Sequence, residues 1–80
     1  MDNILLDIHN TSFRDQIKTV RLILQLSQTE LAEKIGVSYA TVSRWERENR
    51  KPQLAMIGKF YSYCLRSGIQ LKTGNKEGDK

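Results

Sequence analysis

The side chains that most often carry enzyme chemistry are scarce in this chain. Its 80 residues include one His and one Cys, His9 and Cys64. A lone His with no evident partner offers no acid–base pair, and the sequence contains no carboxylate pair, Ser/His arrangement or glycine-rich phosphate loop. One Cys with one His cannot assemble a tetrahedral zinc site, and one Cys cannot close an intrachain disulfide. A non-enzymatic protein without metal or cofactor is expected. The chain is instead rich in cations: 13 Lys+Arg stand against 9 Asp+Glu, a formal charge of +4. That total is common among ordinary proteins, but Arg44, Arg47, Arg50 and Lys51 follow one another closely, while Asp2 and Asp7 lie near the N-terminus. Such clustering invites a polyanionic partner.

Those cations need elements to hold them, and the pattern around them is helical. Phe13, Ile17, Val20 and Leu24 recur at i, i+4, i+7 and i+11, the apolar stripe of an amphipathic helix. Ser12 is placed to cap it, with Asp15 in the first turn. Ser27-Gln28-Thr29-Glu30 has the form of a capping box, so a second helix begins at Gln28. It carries Leu31, Ala32 and Ile35 on one side and ends at Gly36. Ser38 then caps a third helix from Tyr39, with Val42 and Trp45 inward and Tyr39, Ala40, Ser43, Arg44 and Arg47 on other faces. Asn49-Arg50-Lys51-Pro52 reads as a polar, basic loop in which Asn49 can take a positive φ. A fourth helix, from about Gln53 to Arg66, turns Leu54, Ile57, Phe60, Tyr61 and Cys64 inward, with Gly68 as its stop. Ile69 to Lys72 is expected to be a short strand or an extended arm. The stretch TGNKEGDK after it has no apolar residue and is expected to be disordered.

Gln28 to Glu46 meets each physical requirement of a helix-turn-helix that reads DNA. Leu31, Ile35, Val37, Val42 and Trp45 join the two helices, Ala32 is small where they approach most closely, and Gly36 eases the turn. The run LSQTELAEKIGVSYATVSRWERENRKP, Leu26 to Pro52, resembles the core of the Cro/phage-repressor type helix-turn-helix, the XRE family of transcriptional regulators. The likeness extends from about Phe13 to Leu65. It implies an all-α fold, a compact four- to five-helix bundle of the lambda-repressor-like DNA-binding type. It also implies that the third helix lies in the major groove of operator DNA, commonly as a two-fold homodimer.

The resemblance extends to individual positions. Tyr39, Ala40 and Arg44 match positions that face base edges, and Ser43 lies beside them. The chemistry agrees, since an arginine fork pairs with guanine O6 and N7 and an alanine methyl suits a thymine methyl. Gln28 resembles a glutamine that touches the DNA backbone and braces the recognition helix. Ser38 and Thr41 offer hydroxyls to phosphate oxygens, and Asn49, Arg50 and Lys51 form a loop like the one that grips the backbone after helix three. Arg21 and Glu46 correspond to a structural ion pair between helices one and three. Two positions depart from the pattern: Gln25 and Glu48 stand where the family often has glycine, so helix one is expected to end without its usual left-handed residue. After helix three Asn49 is expected to serve instead.

Plainer readings hold for other residues. Trp45, Phe60 and Tyr61 sit on apolar stripes and belong to the core rather than to a stacking platform. Arg44 has a competing reading as an ion-pair partner of Glu48 at i+4, and Arg47 is balanced between solvent and DNA. His9 reads as exposed, and Cys64 as a small buried hydrophobe. Three stretches are expected: an N-terminal segment at 1–11, the helix-turn-helix domain at 12–68, and a flexible C-terminal arm at 69–80. No apolar run reaches the roughly 20 residues of a membrane span. With Asp2 and Asp7 in place of a basic leader, a cytoplasmic location is expected. The function that follows is sequence-specific binding of double-stranded operator DNA by a transcriptional regulator, in the repressing sense. The alternative is the antitoxin half of a toxin–antitoxin pair, suggested by Ile4, Leu5, Leu6 and Ile8, which have no partner evident from sequence. A second rival is a helix-turn-helix used only as a scaffold.

Overall fold

A computed structural model describes residues 4–72. The order of elements is β1 (Ile4–Asp7), α1 (Phe13–Leu24), α2 (Gln28–Ile35), α3 (Tyr39–Arg47), α4 (Leu54–Arg66) and β2 (Ile69–Lys72). The three helix starts marked by serines lie where the caps place them. Ser12 Oγ accepts from the Asp15 amide at 3.3 Å, and Ser38 Oγ from the Thr41 amide at 3.1 Å. At α2 both halves of the capping box form: the Glu30 amide donates to Ser27 Oγ at 3.0 Å, and the Ser27 amide donates to Glu30 Oε1 at 2.8 Å. Each satisfies an amide that the helix itself leaves without a partner. Gly36 ends α2 with φ +81°, and Gly68 turns the chain out of α4 with φ +87°.

The ends of helices one and three differ from expectation in opposite ways. Gln25 supplies the left-handed residue itself, at φ 58° and ψ 49°, and its amide donates to the Arg21 carbonyl. Glu48 ends α3 in an extended conformation, φ −98° and ψ 138°. Asn49 therefore takes no positive φ, since Gln25 is the only non-glycine residue to do so among those described. An extended exit at Glu48 already directs the chain toward Pro52, so no left-handed residue is needed there.

The four helices agree broadly with the expected all-α bundle, to which the fold adds a small two-stranded parallel sheet. β1 pairs with β2 in the register Ile4↔Ile69, Leu5↔Gln70, Leu6↔Leu71 and Asp7↔Lys72. The Ile8 amide extends the pairing to the Lys72 carbonyl at 3.1 Å. Ile4, Leu6, Ile69 and Leu71 turn to the core, and Leu6 and Ile69 are almost fully buried. Parallel strands require a long crossover, and here all four helices provide it. Ile4–Asp7 and Ile69–Lys72 thus pack on the core. Residues 73–80, expected to be a disordered end, lie outside the described residues.

The core gathers where the helices meet. Phe13 presents edge-to-face rings to both Trp45 (centroids 5.3 Å apart) and Phe60 (5.4 Å). Leu31, Ala32, Ile35 and Val42 bind α2 to α3, and all four are buried. Leu54, expected to face inward, is 83% exposed. At about 100° per residue it sits about 100° around α4 from the mean direction of buried Phe60 and Cys64. No helix among the described residues is long and apolar enough to cross a membrane.

Candidate nucleic-acid interface

α3 has one face in the core and one in solvent. Val42, Trp45 and Glu46 are buried, whereas Tyr39, Ala40, Arg44 and Arg47 are exposed, with Thr41 and Ser43 half-buried between. At 1.5 Å per residue its nine residues span about 13 Å, comparable to the width of the B-DNA major groove. The Trp45 ring, wedged against Phe13, fixes which way the helix faces.

A polar clamp on its inner side fixes the helix further. Arg21 of α1 donates from Nε to Glu46 Oε2 at 2.6 Å and from Nη2 to Oε1 at 3.0 Å, and Gln28 of α2 donates from Nε2 to the same Oε1 at 3.0 Å. The remaining arm of Arg21 donates to the Leu26 carbonyl at 3.1 Å, tying in the loop before α2. Burial alone pushes the Glu46 carboxyl up. The hydrogen bonds from Arg21 and Gln28, with the charges of Arg21 and Lys18, outweigh it and hold the group below its ordinary value. The two-point geometry fixes angle as well as distance, so α1, α2 and α3 are held in one orientation. Gln28 thus braces α3 through one of its two amide N–H donors.

The predicted backbone-contacting residues fall at the two ends of α3. At its start, the Ser38 and Thr41 hydroxyls lie 2.8 Å apart, hydrogen-bonded to each other. At its exit, Asn49, Arg50 and Lys51 are all exposed. A cleft of about 500 Å³ joins this exit to the start of α4, lined in part by Thr41, Arg44, Arg50, Lys51 and Gln53. α4 begins without a side-chain cap and without an acid in its first turn, so its free amides add positive potential beside these cations. Glu48 is the local counter-charge, 3.9 Å from Arg50 Nε. No ion pair joins it to Arg44 among the described residues, and the Arg44 guanidinium is left toward solvent.

The remaining residues of chemical interest take no part in this face. The Cys64 thiol is buried on α4, and burial pushes its pKa up to about 12. His9 is exposed in the turn after β1, where its amide donates to the Asp7 carboxylate. No group of three or more His, Cys, Asp or Glu side chains suited to a metal exists among the described residues. Two features had no visible signal in the sequence. Gln16, a polar residue beside the apolar stripe of α1, is fully buried. Arg47 donates from Nε to Ser43 Oγ at 3.4 Å.

A family model described as helix-turn-helix matches residues 17–60, from within α1 to within α4. No curated protein and no solved structure gives a significant match. The match covers more than half of the chain, and it includes both helices of the motif, the turn at Gly36 and the exit loop. With α3 braced from behind and cations at its exit, the chain belongs to the Cro/C1-type (XRE) family of helix-turn-helix DNA-binding domains.

Proposed function

We propose that the protein is a transcriptional regulator that binds double-stranded operator DNA with α3 in the major groove, and that it represses by occupying the site. The observation that carries this reading is the division of α3: a solvent face of Tyr39, Ala40, Arg44 and Arg47 opposite a face fixed by Trp45 and the Arg21–Glu46–Gln28 clamp. Base discrimination needs a reading surface whose position does not drift, and the clamp supports that. Tyr39, Ala40 and Arg44 take the base edges, with Ser43 beside them. Gln28, Ser38, Thr41, Asn49, Arg50 and Lys51 take the phosphates and supply affinity that does not depend on sequence.

One module of this kind buries about 600 to 1,000 Å² of protein surface, which favours a homodimer on half-sites about 34 Å apart. Ile69 is buried in the core and offers no dimer surface, while Leu65 remains exposed. The proposed role needs no catalysis and no cofactor, and it places the protein in the cytoplasm with the DNA.

Toxin binding is the second reading. Its motive was the run Ile4, Leu5, Leu6 and Ile8, and three of these now have partners: Leu6 is buried, and Ile4 and Ile8 pack against the core. Leu5 alone stays exposed, so operator binding comes first.

Selection of bound duplexes from a random library tests the proposal, since a palindrome reports symmetry and readout together. On the selected operator, Arg44→Ala is expected to cost about 1 to 3 kcal/mol and to relax preference at one base pair. Lys51→Ala should weaken all duplexes alike and flatten the salt slope. Retention of full affinity and preference by Arg44→Ala would remove the base-reading role. A flat salt dependence of the wild-type protein would favour the scaffold reading.

A further inference from the structure

We propose that Arg47 is a second base-reading arginine of α3, and that Ser43 orients it. This rests on the reading of α3 as the major-groove helix and adds a residue that the family positions do not mark. Taking about 100° per residue, the buried residues Val42, Trp45 and Glu46 define the core direction of α3. The point opposite them falls between Arg47 and Arg44, beside Ala40. Arg47 is thus nearer the centre of the exposed face than Tyr39 or Ser43 is.

The direction of the side chain places its charge. Arg47 is the last residue of α3, and an arginine there that extended away from the helix would meet the DNA backbone. Here Nε donates to Ser43 Oγ one turn earlier, at 3.4 Å. The stem therefore runs back toward the N-terminus, the direction helical side chains favour. Ala40, Ser43 and Arg47 stand at i, i+3 and i+7, one row along the helix.

Three further observations agree. Among the described residues, neither Arg44 nor Arg47 has a carboxylate within ion-pair distance. Both guanidiniums stand on the same face, where mutual repulsion is relieved by acceptors from outside the chain. Donation from Nε leaves both terminal nitrogens of Arg47 free, and these form the fork that matches guanine O6 and N7. Ser43, half-buried and used as an acceptor, then contributes to recognition through Arg47.

The test uses the duplex selected by the wild-type protein, its single-base-pair variants and an unrelated duplex, at two salt concentrations. Arg47→Lys keeps the charge and loses the fork. It is expected to lower affinity for the selected duplex about 10- to 100-fold, the range of one two-point base contact, to lose preference at one G·C pair, and to leave the unrelated duplex and the salt slope unchanged. Ser43→Ala should lose about 3-fold at that same pair, and should lose nothing further in the Arg47→Lys background. Ser43→Thr, which keeps a hydroxyl, should retain the preference. Equal weakening of every duplex by Arg47→Ala, with Arg47→Lys silent, would assign Arg47 to phosphate and overturn the proposal. Unchanged binding by both variants would overturn it as well. A wild-type protein that selects no duplex refutes the groove reading itself and takes this inference with it. Loss at Arg44 with Arg47 silent refutes the inference alone. Both side chains lie outside the core, and the thermal transition of each variant, followed by circular dichroism, confirms that any loss is not unfolding.

Discussion

Arg21 on the first helix grips Glu46 on the third through two parallel hydrogen bonds of 2.6 and 3.0 Å. The Glu46 side chain is 6% exposed and that of Arg21 26%. Removing the arginine leaves a nearly buried carboxylate with Gln28 as its remaining partner. Arg21→Met should therefore destabilise by about 2 kcal/mol, below the 3 to 5 of a fully buried pair because water reaches Arg21. The pair also sets a pH dependence. Glu46 titrates below its ordinary value of 4.5, so its stabilisation is complete above that value and is lost as pH falls through the lower folded-state value. The urea midpoint of the wild-type protein should fall in that acid range, and Glu46→Gln should lose this part of the fall. An unchanged acid slope in Glu46→Gln would move its origin to other carboxylates.

Gln16 holds the strand segment to the helices. Its Nε2 donates to the Thr11 carbonyl at 2.7 Å, and its Oε1 accepts from the Tyr61 hydroxyl at 2.7 Å. Gln16→Leu fills similar space but removes these bonds and a longer one to the Ile8 carbonyl at 3.4 Å, all of them part-buried, at a cost of about 2 to 3 kcal/mol. Tyr61→Phe should cost about 1 kcal/mol, and the double variant should cost less than the sum because the two share one bond. Urea unfolding of the four proteins gives the coupling, and strict additivity would show that the bond carries no energy.

Gln25 is the one non-glycine residue described with a positive φ. A Cβ in the left-handed region is disfavoured, and glycine relieves that cost while losing more entropy on folding. Gln25→Gly should therefore stabilise by about 0.5 to 1 kcal/mol, and Gln25→Val should destabilise, being β-branched at φ 58°. Thermal melts of the two variants should move in opposite directions. A lower transition for Gln25→Gly would mean that the glutamine contributes packing that offsets its backbone strain.

Much of this arrangement is legible in the local sequence. Ser12, Ser27 and Ser38 marked helix starts because a cap acts within three residues of itself. Gly36 marked an end for the same local reason. Where the expectation missed, the deciding partner was far along the chain. Leu6 becomes core only because Ile69 and Leu71 arrive beside it, more than sixty residues later. A short apolar run carries no sign of such pairing. Gln16 is buried only because Tyr61, from the fourth helix, reaches it. Leu54 satisfied the apolar pattern, yet the packing angle of α4 left it in water.

Caps, glycines and periodicity act over a few residues, so the four helices, the turn between the second and third, and the cations that follow the third can be read from neighbouring residues alone. Contacts between distant residues set that Ile4–Asp7 and Ile69–Lys72 pair as a parallel sheet, that Glu46 is shared by Arg21 and Gln28, and which side of α3 faces out. Strand pairing and the Glu46 clamp depend on groups distant in sequence meeting at hydrogen-bond range. The turn of the Arg47 stem over Ser43 is local in sequence, but the core fixes that it lies on the solvent side of α3.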